Sequence, residues 1–497
     1  MSYPAGMIER MFDSEFDPAV LLLQRVCLAA RAESCAAAAR LVAIGELVSL
    51  RLAEDGGASA DWTVDATDAV AVEVSAGLGI SRGLAASHVR YAHALRVQLP
   101  ALGRVFCAGD IDEATFRAAV FRTGLITDDD LRAAVDAQLA VKAPRWGVLD
   151  RSQLAARIDK IIARADRDAV RVRKDRLAER EVLIGDVGDG LAEIVAIVYA
   201  PDGHAVADRL TALAHTVCPD DPRTLAQRRS DSFGALAAGA DRLGCRCGRA
   251  DCPAGANTPS AVVIHVIAEQ ATVEGSGDTP AAMIGYEGLI PAELFAEIAK
   301  TARLQPLLHP GDAPAEAGYR PSKALADFVR HRDMTCRFPN CDVPASDCDL
   351  DHTVPHGDRG PTHASNLKCL CRFHHLVKTF WGWRDEQLRD GTVIWTAPTG
   401  QKYVTHPGSA LIFPTLCAPT GPLPVITPRS DRAGDKTAKM PRRQRTRTQQ
   451  RTAAILAERR ANHQHHTNPP PPRFIPDEHI EYHDTFTTAQ DSDPPPF

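Results

Sequence analysis

Apolar residues recur at three- and four-residue spacing from Asp17 to Glu54, and Pro18 sits at a first helical position. One long amphipathic helix is predicted there, with Gly45 as its candidate break. The same period runs through Thr67–Leu99, Asp112–Thr123, Thr127–Leu139 and Ser152–Arg180, punctuated by Gly79-Ile80-Ser81, Pro100 and Pro144. These stretches predict a helical bundle. From Glu181 the period falls to two. Val182-Leu183-Ile184, the Gly-Asp-Gly turn at Gly188–Gly190 and Leu191–Tyr199 predict a β-hairpin. Helices over Gly203–Thr216 and about Thr224–Ala240, and a strand over Ala261–Ala268, complete a small α+β unit. Further on, an amphipathic helix over Ser322–Arg332 leads into a cysteine-rich block. Trp383–Leu388, Thr392–Thr396 and Gln401–Thr405 follow as short strands, joined by turns at Asp390-Gly391 and Pro398-Thr399-Gly400. After about Ile412 the patterning stops. Proline clusters at Pro469–Pro472 and Pro494–Pro496 flank polar sequence that buries too little apolar area to offset chain entropy, so this tail is expected to be disordered.

The pattern divides the chain into a helical and α+β domain over 1–300, a linker over 301–319, a cysteine-rich module over 320–410 and a basic, proline-rich tail over 411–497. With 497 residues, 44% hydrophobic but only 5% aromatic, the composition suits two or three Ala-rich units rather than one domain. No apolar run reaches the roughly 18 residues of a membrane span. The first residues carry early acids and neither a basic n-region nor an apolar h-region, so a cytoplasmic protein is expected.

Cysteine usage sharpens this picture. Eight of the 13 cysteines fall between Cys245 and Cys371, close to histidines, which points to metal binding in a reducing compartment rather than to disulfides. A net charge of -6 is not that of a dedicated nucleic-acid binder, so any DNA contact must be local. Positive charge concentrates between Arg429 and Arg460, where Arg442, Arg443, Arg445, Arg447 and Arg451 have few acids beside them. That run would bind nucleic acid electrostatically, or stand as a solvated tail.

The chemistry concentrates in the block Cys336-Arg-Phe-Pro-Asn-Cys341, Cys348-Asp349-Leu350-Asp351-His352 and Ser365-Asn366-Leu367-Lys368-Cys369-Leu370-Cys371-Arg372-Phe373-His374-His375-Leu376-Val377-Lys378. Cys336 and Cys341 have the spacing to grip one half of a Zn²⁺ site. Cys371 and His374, three residues apart over a strand-to-helix turn, supply the other half. A closed four-ligand set makes this zinc structural, and Cys348 and Cys369 are the rival ligands. Asp351, His352, Asn366 and His375 form a second polar set that the zinc does not need. Asp351 and His352 are neighbours on a predicted strand and point to opposite faces. Phosphodiester cleavage needs a base for the attacking water and a cation for the charge developing on the phosphate, and an imidazole and an oxygen donor suit those tasks. Cys245, Cys247 and Cys252 look like part of another metal site, with His265 or Cys218 as candidates to complete it. His356 and His363 lie in the loop before Asn366, where they could touch DNA or metal or stand as exposed bystanders. Gly79-Ile80-Ser81 and the helix through His88, Arg90 and His93 form a candidate helix-turn-helix.

The order Asp-His, Asn, then Cys-x-x-His-His followed by Lys resembles the HNH (ββα-metal) endonucleases, with His352, Asn366 and His375 as the three letters of the name. The resemblance implies a ββα-metal module between about Arg320 and Pro407. It makes His352 the general base, Asp351 and His375 the ligands of Mg²⁺ or another divalent cation, and Asn366 the residue that orients loop and base. Arg337, Arg372 and Lys378 become contacts to DNA phosphates. The first Cys pair is C-x4-C rather than the commoner C-x2-C, and His374 stands where many members have a second cysteine. The Ala-rich helical region, Gly-Cys-Arg-Cys-Gly near Cys245, Cys-Arg-Phe-Pro-x-Cys, Cys-Asp-Leu-Asp-His-Thr-Val-Pro and Cys-Leu-Cys-Arg-x-His-His together resemble the actinobacterial DUF222 family, with its 13E12 repeat proteins, over about residues 15 to 410. That implies a DNA endonuclease linked to mobile or repeated elements. The contrasting class is a zinc-containing DNA-binding or regulatory protein that does not cut.

Overall fold

The computed structural model of this chain describes residues 18–146, 149–171, 181–252, 265–283, 288–300, 302–423 and 440–468. The first helix, α1 (Pro18–Asp55), runs unbroken through Gly45. Gly45 is buried beside Ala92, where a Cβ would make only ordinary van der Waals contact (3.6 Å to Ala92 O), so it neither breaks the helix nor is demanded by its packing. Helix α2 (Ala66–Leu78) opens on a capping box between Asp65 and Asp68 and stops where Gly79 turns left-handed at φ 67°. Ser81 then caps α3 (Arg82–His93), and the chain bends by 114° across the Gly79-Ile80-Ser81 turn. Helices α4 (Pro100–Cys107), α5 (Glu113–Arg122), α6 (Asp129–Lys142) and α7 (Arg151–Ala165) follow. Asp112, Asp128 and Asp150 cap the last three. The N-terminus of α4 is satisfied from a distance: Asp136 on α6 accepts from Ala101 N–H (2.7 Å) and Leu102 N–H (2.9 Å). Their apolar faces form one core around Leu41, Val70, Leu102, Phe106, Phe116 and Leu139, with the two phenylalanine rings stacked at 5.1 Å. The helix expected to reach Arg180 ends at Ala165; residues 172–180 lie outside the described part.

The hairpin forms as the period-two pattern implies. Strand β1 (Glu181–Gly188) pairs antiparallel with β2 (Leu191–Ile197), and both faces are exposed. Helices α8 (Ala200–Ala214) and α9 (Leu225–Ala237) pack on each other. Of the strand expected over Ala261–Ala268, the stretch up to residue 264 lies outside the described part. Val266–Ile267 forms β3, which joins β4 (Ala281–Met283) and β5 (Leu289–Ile290) in a small sheet beside α10 (Gln270–Val273) and α11 (Ala292–Ala299).

The cysteine-rich block forms a compact unit. It runs from α12 (Lys323–Asp333) through β6 (Cys348–His352), β7 (Leu367–Cys371) and α13 (Arg372–Phe380). A meander of β8 (Arg384–Gln387), β9 (Val393–Thr396) and β10 (Lys402–Thr405) closes it. Its core gathers Phe328, Phe338, Leu370, Val377, Trp383 and Trp395, and it also takes in Val64, Val72 and Ala76 from around α2. Trp381 Nε1 donates to Val64 O (3.2 Å) and Asn340 Nδ2 to Ser75 O (2.9 Å), so the helical region and this unit share a packed seam.

Two stretches between and after the units are packed against them. Residues 302–319, within the expected linker, hold no helix or strand but contact the second unit. Leu307 packs on the second core, His309 bonds Ala418 O, and Glu316 bridges to Thr362. The tail from 411 is not without order where it is described. Residues 440–468 return to the helical bundle, and Arg447–Thr467 form α14. Arg442 pairs with Asp61, and Arg443 and Arg447 both pair with Asp65 and Asp68, so much of the basic run is neutralised by acids some 380 residues earlier. Arg171 binds Glu458, Arg459 binds Asp166, and Asn462 donates to Asp168 O and Val170 O. Pattern reading missed α14 because its apolar stripe is thin and polar contacts hold it.

Candidate functional site

The Cys336–Cys341 turn and the junction of β7 with α13 converge on one point. The ligand atoms of Cys336, Cys341, Cys371 and His374 all lie within 4.8 Å of one another. His374 Nδ1 is 3.7 Å from Cys336 Sγ and 3.4 Å from Cys371 Sγ. A zinc tetrahedron with bonds of about 2.0–2.3 Å has edges of about 3.3–3.8 Å, so these spacings fit the ion. Phe338 stacks on the His374 ring at 4.1 Å and holds its orientation, and the Cys371 amide donates to Cys336 Sγ (3.3 Å). Burial pushes the Cys336 thiol up, while hydrogen bonds from Cys336 and Cys341 hold Cys371 down. Three thiolates crowded at this point need a cation to coexist, and the group can hold a metal ion such as zinc. The rivals are not among these four: Cys348 donates to Pro344 O (3.2 Å) while also contacting Cys336, and Cys369 is buried against Val329 O (4.0 Å).

The second polar set lies next to this clamp. In β6 the residues alternate, so Asp349 and Asp351 share the face that meets α13, and His352 takes the other. His375 reaches back from α13 with both ring nitrogens engaged: Nδ1 is 2.9 Å from Asp349 Oδ2 and Nε2 is 3.4 Å from Asp351 Oδ1. Asp351 Oδ2 is held separately by Lys368 Nζ (2.7 Å) and Lys378 Nζ (2.6 Å). Both ammonium groups also contact Asp385, at 2.5 and 3.0 Å, forming a buried cluster of two acids and two bases. Burial alone would raise the Asp351 carboxyl; the two lysines and His375 bring it down to about 2. The carboxylates of Asp351 and Asp385 outweigh burial at Lys368 and hold its ammonium up.

His352 sits on the opposite face. Its Nε2 is 3.0 Å from Thr362 Oγ1, whose hydroxyl donates onward to Tyr319 O (3.4 Å). In that chain Nε2 carries the proton and Nδ1 is left as the acceptor. Tyr319 stacks on the ring at 5.3 Å, and burial pushes the imidazole down to about 4. Asn366 is buried and pins both ends of the loop between β6 and β7. Its Oδ1 accepts from Val354 N–H (2.8 Å), and its Nδ2 donates to Val354 O (3.1 Å) and Pro361 O (2.9 Å). At Gly360 a Cβ would come within 1.8 Å of Val354 O, so only glycine fits that turn.

Three expectations fail on burial. Arg337 is 3% exposed and bonds Thr405 Oγ1 and His406 O inside the unit, so it is not a surface DNA contact. Lys378 is committed to Asp351 and Asp385 rather than to a phosphate. His363 is buried, bonding Ala313 O and accepting from Ser365 N–H, and is not an exposed bystander. Arg372, by contrast, is exposed and lies 3.3 Å from Asp349. Sequence reading missed Asp349, Lys368, Thr362, Tyr319 and Asp385. For Asp349 the signal was present in the Asp-Leu-Asp alternation; the other four come together only through pairing and loop closure.

Among the described residues no single helix is long and apolar enough to cross a membrane. No solved structure matches this chain. "Uncharacterized protein Rv2100" of Mycobacterium tuberculosis (strain ATCC 25618 / H37Rv) is 42% identical over 510 residues, covering 92% of each chain. "Uncharacterized protein Rv3776" of the same strain is 44% identical over 471 residues, covering 89% of this chain and 90% of its own. The family described as "Domain of unknown function (DUF222)" matches residues 28–333, from within α1 to the end of α12 and short of the first zinc-candidate cysteine. With that match over more than half its length, the chain belongs to the DUF222 family.

Proposed function

We propose that the unit from β6 to α13 is an HNH-type centre and that the protein is a metal-dependent endonuclease hydrolysing DNA phosphodiester bonds. The observation that carries this reading is the Asp349–His375–Asp351 array. A carboxylate on Nδ1 fixes the tautomer that leaves the Nε2 lone pair facing Asp351 Oδ1, the arrangement that prepares a histidine to share a metal with that carboxylate. Asp351 Oδ1 and His375 Nε2 would hold a divalent cation such as Mg²⁺, with the zinc clamp of Cys336, Cys341, Cys371 and His374 setting the angle of α13 against β6. Such an ion would stabilise the charge that develops on the phosphate and the leaving oxygen. His352, unprotonated at neutral pH and oriented by Thr362, accepts the proton of the attacking water at Nδ1. Asn366 keeps the loop carrying Thr362 in register with His352. Arg372, exposed at the start of α13, is positioned to meet a DNA phosphate. A link to mobile or repeated elements rests on family resemblance alone.

A second reading has its own support. Lys368 and Lys378 already neutralise Asp351, and two ammonium groups beside a cation site weaken cation binding. That favours a zinc-containing DNA-binding or regulatory protein that does not cut. Supercoiled plasmid incubated with the protein and Mg²⁺ or Mn²⁺ separates the two. Nicking by wild type that is lost in His352→Ala is the expected result. Equal binding without nicking by both proteins would overturn the nuclease reading.

A further inference from the structure

A second cluster of metal-binding groups is built from other elements. Cys218 follows α8, and Cys245, Cys247 and Cys252 lie in the loop after α9, yet all four sulfurs lie within 4.8 Å of one another. His265, the other candidate to complete this group, is engaged elsewhere, its ring packing against His331. We propose that these four cysteines bind a structural Zn²⁺ that staples the α8–α9 unit, a site separate from the proposed nuclease centre and not dependent on it.

The surrounding structure is built to present the sulfurs. The Asp221 carboxylate, fully buried, accepts from Arg223 Nε (3.0 Å) and Nη2 (2.8 Å) and from Arg246 N–H (2.9 Å). Arg223 also donates to Gly244 O (2.7 Å), so one clamp ties the Cys218 turn to the strand of chain that bears Cys245 and Cys247. Asp220 N–H donates to Cys218 Sγ, and Arg249 N–H donates to Cys247 Sγ. In each case the amide two residues on bonds the sulfur, the geometry in which a short turn stabilises a metal-bound thiolate. Gly248, between Cys247 and Arg249, takes the left-handed conformation that this turn requires (φ 74°).

The unit also needs a staple. Its buried apolar residues among those described are Leu210, Leu213, Ala214, Ala240 and Leu243, and none belongs to either large core. So small a hydrophobic interior is typical of units that draw folding energy from a metal. Four thiolates with no open position make a closed tetrahedral site, the preference of structural zinc.

Metal analysis of the full chain is the test. The expected content is two zinc ions per chain, falling to one in the Cys245→Ser/Cys252→Ser variant. Alkylation of wild type, mapped by mass spectrometry, does not depend on that variant folding. Cys218, Cys245, Cys247 and Cys252 should resist iodoacetamide until a strong chelator is added, while the exposed Cys27 and Cys107 react at once. Equal zinc content in wild type and the Cys245→Ser/Cys252→Ser variant, iron in place of zinc, a disulfide among the four, or labelling at the rate of Cys27 with metal present would overturn the assignment. Loss of plasmid nicking is not among these readouts, so the two proposals fail separately.

Discussion

Replacing Lys368 by methionine tests whether the acid–base cluster beneath β6 and α13 is a balanced structural unit. The Lys368 side chain is fully buried and touches Asp351 and Asp385 at 2.7 and 2.5 Å; those carboxylates are only 8% and 2% exposed. With Lys368 and Lys378 charged, the cluster is neutral. Lys368→Met leaves two buried carboxylates and one ammonium, and removing one partner of a buried pair costs about 3–5 kcal/mol. Lys378 still reaches both acids, at 2.6 and 3.0 Å, so the expected loss lies at the lower end, about 3 kcal/mol. Adding Asp385→Leu restores neutrality, and the double variant should be more stable than Lys368→Met alone. Urea unfolding followed by tryptophan emission is a suitable assay. Trp62, Trp381, Trp383 and Trp395 all pack in or against this core, and the Lys368 ammonium lies 5.8 Å from the Trp395 ring. A single variant within about 1 kcal/mol of wild type, or a double variant less stable than the single, would refute the balanced-charge account.

Two further outcomes rest on other contacts. His352 is held at about 4, below its ordinary value, so its neutral form is stabilised by folding: that contribution is complete above about pH 6.5 and is lost as pH falls toward 4. Wild type should therefore lose more thermal stability than His352→Phe between pH 7 and about 4.5, and parallel losses would contradict the shift. Arg443→Ala/Arg447→Ala removes the pairs with Asp65 and Asp68 at the start of α2 and should lower stability by about 1–2 kcal/mol, since these acids are mostly buried. An unchanged melting curve would mean that α14 is not anchored there.

Much of the candidate site was legible before folding was considered, because its chemistry is written in short spacings. Cys336-x4-Cys341 and Cys371-x2-His374 each fit within one turn, and local backbone geometry alone points both ligands of a pair the same way. The Asp351-His352 juxtaposition on opposite faces follows from strand alternation. Phosphate contacts were read less well, since sequence records that Arg337 and Lys378 carry charge but not that both point inward. Their burial depends on partners from β10, β8 and the β6–β7 hairpin.

The sequence by itself determined where the helices of the bundle, the β1–β2 hairpin and the strands of the cysteine-rich unit form, though not α14, and which cysteines can pair within a turn, all consequences of interactions within a few residues. Tertiary structure alone decided that Cys218 joins cysteines 27 to 34 positions later, that Lys368 lies between Asp351 and Asp385, and that the arginines after residue 440 return to the acids at the start of α2. Such pairings depend on how whole elements pack, and a charge or a thiol has no local signature that identifies a distant partner.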